Sequence, residues 1–443
     1  MDRKTDFAVP GPESERIFDM ESRYMSPGLQ SIALFSKIVV KEARGVWITD
    51  ADNRKYIDFT AGIGVGSVGH CHPRYVKILG EQIEKAVFGS FCTENRLEFL
   101  SSLVSMLPDG IDSVQMYSGG AEAVEASMRL AKSVTHKFEF AGFWGGFHGK
   151  TGGVMGLLGD TSFKAGLGPV MPGLYTLAPY ANCYRCALKL EYPGCGLACV
   201  EWFREAIKRQ TSHMLAGIVV EPVQGTAGNV VPPPGFLRAV QEVAREFDAL
   251  LIVDEMITGF GRTGLAWGCD HDGVIPDAMT LGKGIGGGFP MSVLAAPARY
   301  SAARPFGNPS GSSSSYGGNP MAAAAGRAVL EIIRDENLVE NSRRVGAVIM
   351  ERLKAFAGQC GIVGDVRGKG LMIGVELVKD KRSREPLSKE LTRRLFHECL
   401  DNGLVSMCYS SNIRINPPLV ISEDEAVEAT EILVRAIRKI EES

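Results

Sequence analysis

LLIVDEMITGFGRTG (250–264), with DAMTLGKGIGGG (277–288) close behind it, is the stretch on which the fold turns. LLIVDEM opens as a short apolar run without alternation, the pattern of a strand buried on both faces. The same kind of run recurs as VQMY (114–117) before AEAVEASMRLAK, and as GIVVEPV (217–223) before GFLRAVQEVAREF. From about 61 to 325, strand-like runs alternate in this way with amphipathic helical patterns. That alternation predicts an α/β core around a large, mostly parallel sheet.

Outward from this core the pattern changes. Residues 1–30 are polar and rich in Pro and Gly and read as an arm. VVKEARGVWITDADNRKYIDFT (39–60) alternates around DADN and predicts a β-hairpin. FGNPSGSSSSYGGNP (306–320) interrupts the α/β pattern, and AAAAGRAVLEII then starts a long helix that leads towards a second domain. Beyond it come strand-like GLMIGVELV (370–378) and a last helix opening with Ser422 and Glu425 at capping-box spacing. Ala426, Ala429, Leu433, Ala436 and Ile440 line one face of that helix. The expected domains are 1–60 as arm and part of a small domain, 61–325 as the large domain with a Cys-rich insertion at 183–199, and 326–443 as the rest of the small domain.

Composition narrows the function. Lys plus Arg is 48 against 51 for Asp plus Glu, a net charge of −3, which offers no footprint for nucleic acid or an anionic membrane. LAGIVV (215–220), among the longest apolar runs, is far short of the roughly 20 residues needed to span a bilayer. The first residues lack the apolar segment of a signal peptide, so a cytoplasmic setting is expected.

Three features could carry chemistry. SGGA (118–121) stands where a strand turns into a helix, where glycines allow close approach and free N–H groups attract phosphate; a plain tight turn is the alternative. Asp254 ends a buried strand, where open α/β sheets bind ligands, although strand-end carboxylates also cap turns. Lys283 is a lone lysine in an apolar, glycine-rich setting. It is either a snorkelling lysine or a desolvated nucleophile for carbonyls. Together, a phosphate cradle, a carboxylate for a ring nitrogen and a Schiff-base lysine suit pyridoxal 5'-phosphate.

EPVQGTAGNVVPPPGFL (221–237), DEMITGFGRTG (254–264) and LGKGIGGGFP (281–290) resemble the class III aminotransferases, the 4-aminobutyrate- and ornithine-like branch of the fold-type-I pyridoxal-phosphate enzymes. The resemblance runs from AGIGVGSVGHCHP (61–73) to IRINPPL (413–419). It implies a large mostly parallel-sheet domain and a smaller α+β domain built from the N- and C-terminal parts. It makes Lys283 the Schiff-base lysine and proton shuttle and Asp254 the partner of the pyridine nitrogen. Gly120 and Ala121 would offer N–H groups to the phosphate, and Phe147 and Met256 would cover the two ring faces. Ser315 would reach the phosphate of a neighbouring subunit in a homodimer, or a dimer of dimers. Arg414 would grip a substrate carboxylate, with Glu221, Ile63 and Thr226 near the substrate. The expected reaction moves an amino group from an ω-amino acid, amine or amino sugar to a 2-oxo acid, 2-oxoglutarate or pyruvate.

The sequence also departs from the family. Ile257 stands where many members have Gln near the cofactor hydroxyl. Thr226 stands where 4-aminobutyrate- and ornithine-type members have a Glu that neutralises the carboxylate-binding arginine. Dialkylglycine decarboxylases carry a small hydroxyl residue at that position, but also Gln and Trp where this chain has Ile63 and Phe147. Racemisation and decarboxylating transamination are therefore the alternative reactions. A non-catalytic binding subunit is disfavoured because the lysine and the aspartate are both present.

Four of the ten cysteines form Cys183-x2-Cys186-x8-Cys195-x3-Cys199. That spacing suits a tetrahedral zinc site, a disulfide or paired thiols, or reduced packing cysteines. No metal ligand is assigned. His70 and His72 read as turn and core residues, and Arg262 as a residue that holds its loop.

Overall fold

A computed structural model describes residues 8–89 and 91–443, and these form two compact units. One comprises Pro73–Glu340; the other combines the residues up to His72 with Asn341–Ser443.

Seven strands make the sheet of the Pro73–Glu340 unit: β1 (Ser113–Tyr117), β2 (Glu139–Phe143), β3 (Leu174–Ala178), β4 (Leu215–Val220), β5 (Leu250–Asp254), β6 (Ala278–Leu281) and β7 (Ser292–Ala296). They lie in the order β1-β7-β6-β5-β4-β2-β3. β7 runs antiparallel to both β1 and β6, and the other neighbours pair parallel. The unalternated apolar runs are explained: every residue of β4, β5 and β6 is buried. Helices α1 (Gly120–Thr135), α2 (Ala198–Gln210) and α3 (Phe236–Glu246) connect the strands and bury apolar faces. The 306–320 segment returns the chain to the same unit. The helix after it, Pro320–Asp335, packs there on Pro73–Ile83 and Glu94–Val104 instead of leading away.

In the other unit, 39–60 folds as a three-stranded meander, not a single hairpin, because the chain also turns back at Gly45 (φ 59°). Leu404–Val405 adds a parallel fourth strand. Residues 12–21 of the expected arm form a helix begun by Pro12, while the arm's first seven residues lie outside the described ones. Val363–Lys369, Met372–Leu377 and Asn412–Ile415 form a second sheet. Glu423–Glu441 has the expected capping box, and its five predicted apolar positions are all buried. No helix among the described residues is long and apolar enough to cross a membrane.

Candidate active site

The sheet directions bring five strand ends to one edge, where open α/β sheets carry their ligands. Asp254 closes β5, Glu221 follows β4, and the loop GGFHG (145–149) follows β2. Lys283 comes two residues after β6, and Gly119 and Gly120 join β1 to α1.

Asp254 is 2 % exposed, and both its oxygens are engaged. Oδ1 accepts the Met256 N–H at 3.0 Å, and Oδ2 lies 2.7 Å from His148 Nδ1. A buried carboxylate needs such partners to replace the water it gives up. His148 is equally enclosed. Burial drives its pKa down, but the hydrogen bond and charge of Asp254, helped by Glu221, hold it above the ordinary histidine value. The Lys283 charge opposes that rise. His148 therefore donates Nδ1–H to Asp254 and fixes the carboxylate's orientation.

Glu221 completes the buried cluster. Its carboxylate accepts the Phe147 N–H at 2.9 Å and the Gly225 N–H at 3.1 Å, tying the β2 loop to the β4 loop. Gln224 adds a second tie, donating Nε2–H to the Trp144 carbonyl at 2.9 Å. Burial, opposed by His148 and supported by Asp254, pushes the Glu221 carboxyl up to about 7.

Around this buried cluster stand residues that reach solvent. Lys283 has φ 45°, a region that non-glycine residues seldom occupy and that is retained mainly at functional positions. A Cβ at Gly282 would sit 2.4 Å from Met256 Sδ, and one at Gly120 would sit 3.2 Å from it, so Met256 lies between the β6 and β1 turns. Gly149 has φ 120°, and a Cβ there would lie 2.4 Å from Ala121 Cβ; the β2 loop thus closes on the start of α1. The first turn of α1 presents N–H groups that the helix itself cannot satisfy. Ser118 and Gly119 N–H donate to Glu122 Oε2, leaving the next turn residues, Gly120 and Ala121, suited to an anion. Phe147 lies edge-on to Phe163 at 5.2 Å, with Lys150 over both rings.

The fold thus gathers Gly120, Ala121, Phe147, Glu221, Asp254, Met256 and Lys283 at one sheet edge. Thr226 is half-buried just after Gly225, Ile257 is buried, and Ser315 is exposed in the segment before Pro320–Asp335. Ile63 and Arg414 belong to the other unit. Arg414 pairs with Gly374 in the second sheet, and the chain beyond it bonds back to the Ile63 segment through Asn416 N–H to Phe59 O at 2.8 Å. His148 was missed from sequence. Its neighbour Phe147 drew attention, whereas its partner is 106 residues away.

A donor set of this kind fits pyridoxal phosphate: a helix N-terminus for phosphate, a buried carboxylate held in one orientation, and a lysine beside them. Among known proteins, the class III aminotransferase profile matches residues 31–437. The acetylornithine aminotransferase of Methanosarcina mazei is 34% identical, covering 95% of this chain and 96% of its own. The alanine/serine racemase of Pyrococcus horikoshii is 33% identical, covering 97% and 91%. A solved (S)-enantioselective omega-transaminase from Thermomicrobium roseum superposes with a TM-score of 0.89 at 30% identity, covering 96% of this chain and 98% of that one.

Proposed function

The chain belongs to the class III aminotransferase family, and we propose that Lys283, Asp254 and His148 form the centre at which it works. It is a transaminase that takes nitrogen from an amino donor and gives it to a 2-oxo acid. The observation that carries the assignment of the centre is the buried His148–Asp254 pair at the sheet edge where Lys283 follows β6. Pyridoxal 5'-phosphate, when bound, supplies an electron-withdrawing ring and a carbonyl carbon able to take up the amino group.

The chain's own residues then divide the work. Lys283 Nζ would hold the cofactor covalently at rest and, once the donor amine has displaced it, its free amine would take the proton from the donor carbon and give it back to complete the transfer. Asp254 would keep a proton on the ring nitrogen, and His148 holds Asp254 in place. Gly120 and Ala121 N–H groups would hold the phosphate, and Phe147 and Met256 would cover the ring faces. Glu221 and Thr226 would line the substrate side, Ile63 is proposed as a further substrate contact, and the planar Arg414 fork as the group that grips the carboxylate of 2-oxoglutarate or pyruvate. Thr226 carries no charge, so it cannot neutralise that arginine. Donors of the ω-amino acid, amine or amino-sugar type remain the proposal for the first half-reaction.

The active unit is proposed as a homodimer with Ser315 serving the partner's phosphate. Exposed Phe88, Phe91 and Tyr316 support self-association. All ten cysteines are free thiols, in keeping with a cytoplasmic setting. The test is a half-reaction with single amino donors and no acceptor. A donor that shifts the visible absorption to the amine form of the cofactor and leaves its own oxo product supports transamination. Inversion of an α-amino acid without any acceptor points instead to racemisation, the activity named for the Pyrococcus relative.

A further inference from the structure

Between β3 and α2 the chain runs from 179 to 197 without helix or strand. Irregular connections of that length inside a compact unit usually need something to hold them. This one holds four thiols. Cys183, Cys186, Cys195 and Cys199 all line a single small cavity of about 30 Å³, with apolar walls that include Leu188, Leu190 and Leu197. All four are free thiols.

We propose that these four cysteines are a structural zinc site, distinct from the candidate active site. The Cys183-x2-Cys186 turn supplies one half of a tetrahedral set, and Cys195 with Cys199, at the start of α2, supplies the other. The turn is already shaped by Asn182, whose Oδ1 accepts the Arg185 N–H at 3.2 Å, and by Lys189 N–H to Cys186 O at 3.0 Å. Among the described residues no three donors yet stand grouped as a metal site, so binding draws the exposed Cys183 side of the turn inward. Zn²⁺ displaces the four thiol protons and gives a dianionic tetrathiolate. Arg185 carries positive charge within the same turn, its guanidinium 5.7 Å from the Tyr184 ring. The cross-link would also brace the active-site edge. Tyr180 lines the cavity and donates its hydroxyl to the Glu221 and Pro222 carbonyls, both at 3.0 Å.

The test uses the full-length protein, first analysed for bound zinc, then reduced, stripped of metal and titrated with Co²⁺ alone. One metal per chain is expected, with thiolate-to-cobalt charge transfer and tetrahedral bands that vanish when Zn²⁺ is added. Four more thiols should react with a disulfide reagent after stripping than before, a readout that needs no variant. Cys183→Ser and Cys199→Ser should each weaken retention by more than about tenfold, while Cys360→Ser, outside the cluster, leaves it unchanged. Reduced wild-type protein that takes up no cobalt, or binds it without thiolate bands, overturns the proposal. So does a metal affinity insensitive to Cys183→Ser and Cys199→Ser.

Discussion

Replacing Glu221 by Gln should stabilise the protein at alkaline pH and leave it nearly unchanged in mild acid. The Glu221 carboxyl is raised from its ordinary 4.5 to about 7, chiefly by burial. A raised value means that the folded chain holds this proton more tightly than the unfolded one. The resulting stability is fully present below 4.5 and is lost as pH rises through about 7. At about 1.4 kcal/mol for each pH unit, the loss amounts to about 3 kcal/mol by about pH 8. Gln at 221 never ionises and escapes that loss. It keeps an oxygen for the Phe147 N–H but turns an amide NH2 towards the Gly225 N–H, forfeiting one hydrogen bond worth about 1 kcal/mol. The net gain is about 2 kcal/mol at about pH 8 and close to zero at about pH 5. At roughly 2 °C per kcal/mol for a unit of this size, thermal melts should separate by about 4 °C at the higher pH. The Glu221 charge also helps hold the His148 pKa up, so the difference between the two melting curves reports the Glu221–His148 pair, with Glu221 itself titrating only in wild type. A Glu221→Gln variant equally or less stable than wild type at about pH 8, across repeated melts of the cofactor-free protein, would refute the reasoning about its burial.

Other expectations follow from the same geometry. His148→Asn removes the 2.7 Å contact that orients Asp254 and should lower kcat by on the order of 10–100-fold, measured with saturating cofactor. Gly149→Ala forces a Cβ to 2.4 Å from Ala121 in a backbone conformation that alanine resists. Titration should show weakened cofactor affinity, and an unchanged affinity would detach that loop from the phosphate site. Ser422→Ala breaks the capping box of Glu423–Glu441 and should destabilise the protein by about 1 kcal/mol in urea unfolding, without changing kcat.

The central sheet was legible because strands buried on both faces need unbroken apolar runs, and LAGIVV and LLIVD carry them. β2 (EFAGF), β3 (LYTLA) and β7 (SVLAA) were harder to see, because polar or small residues interrupt their apolar runs and their pairing is set by neighbours far along the chain. The helix at 12–21 was hidden by a polar, Pro-containing segment that only its cap and tertiary contacts organise. At the site, Asp254 and Lys283 announced themselves as charged residues in apolar or glycine-rich settings. His148 did not, because a histidine's role depends on what it meets, and Asp254 reaches it only once β2 and β5 share a sheet. The four cysteines were visible as a spacing, but their convergence on one cavity requires the fold of 179–197.

Lys283 is the residue proposed to bind the cofactor, and every other role assigned at the site depends on it. Reduction of the holoenzyme with borohydride, followed by peptide mapping, tests that directly. The predicted result is a phosphopyridoxyl group on the peptide containing Lys283, absent from Lys283→Ala along with transaminase activity. A label on another lysine, or full activity in Lys283→Ala, would contradict it.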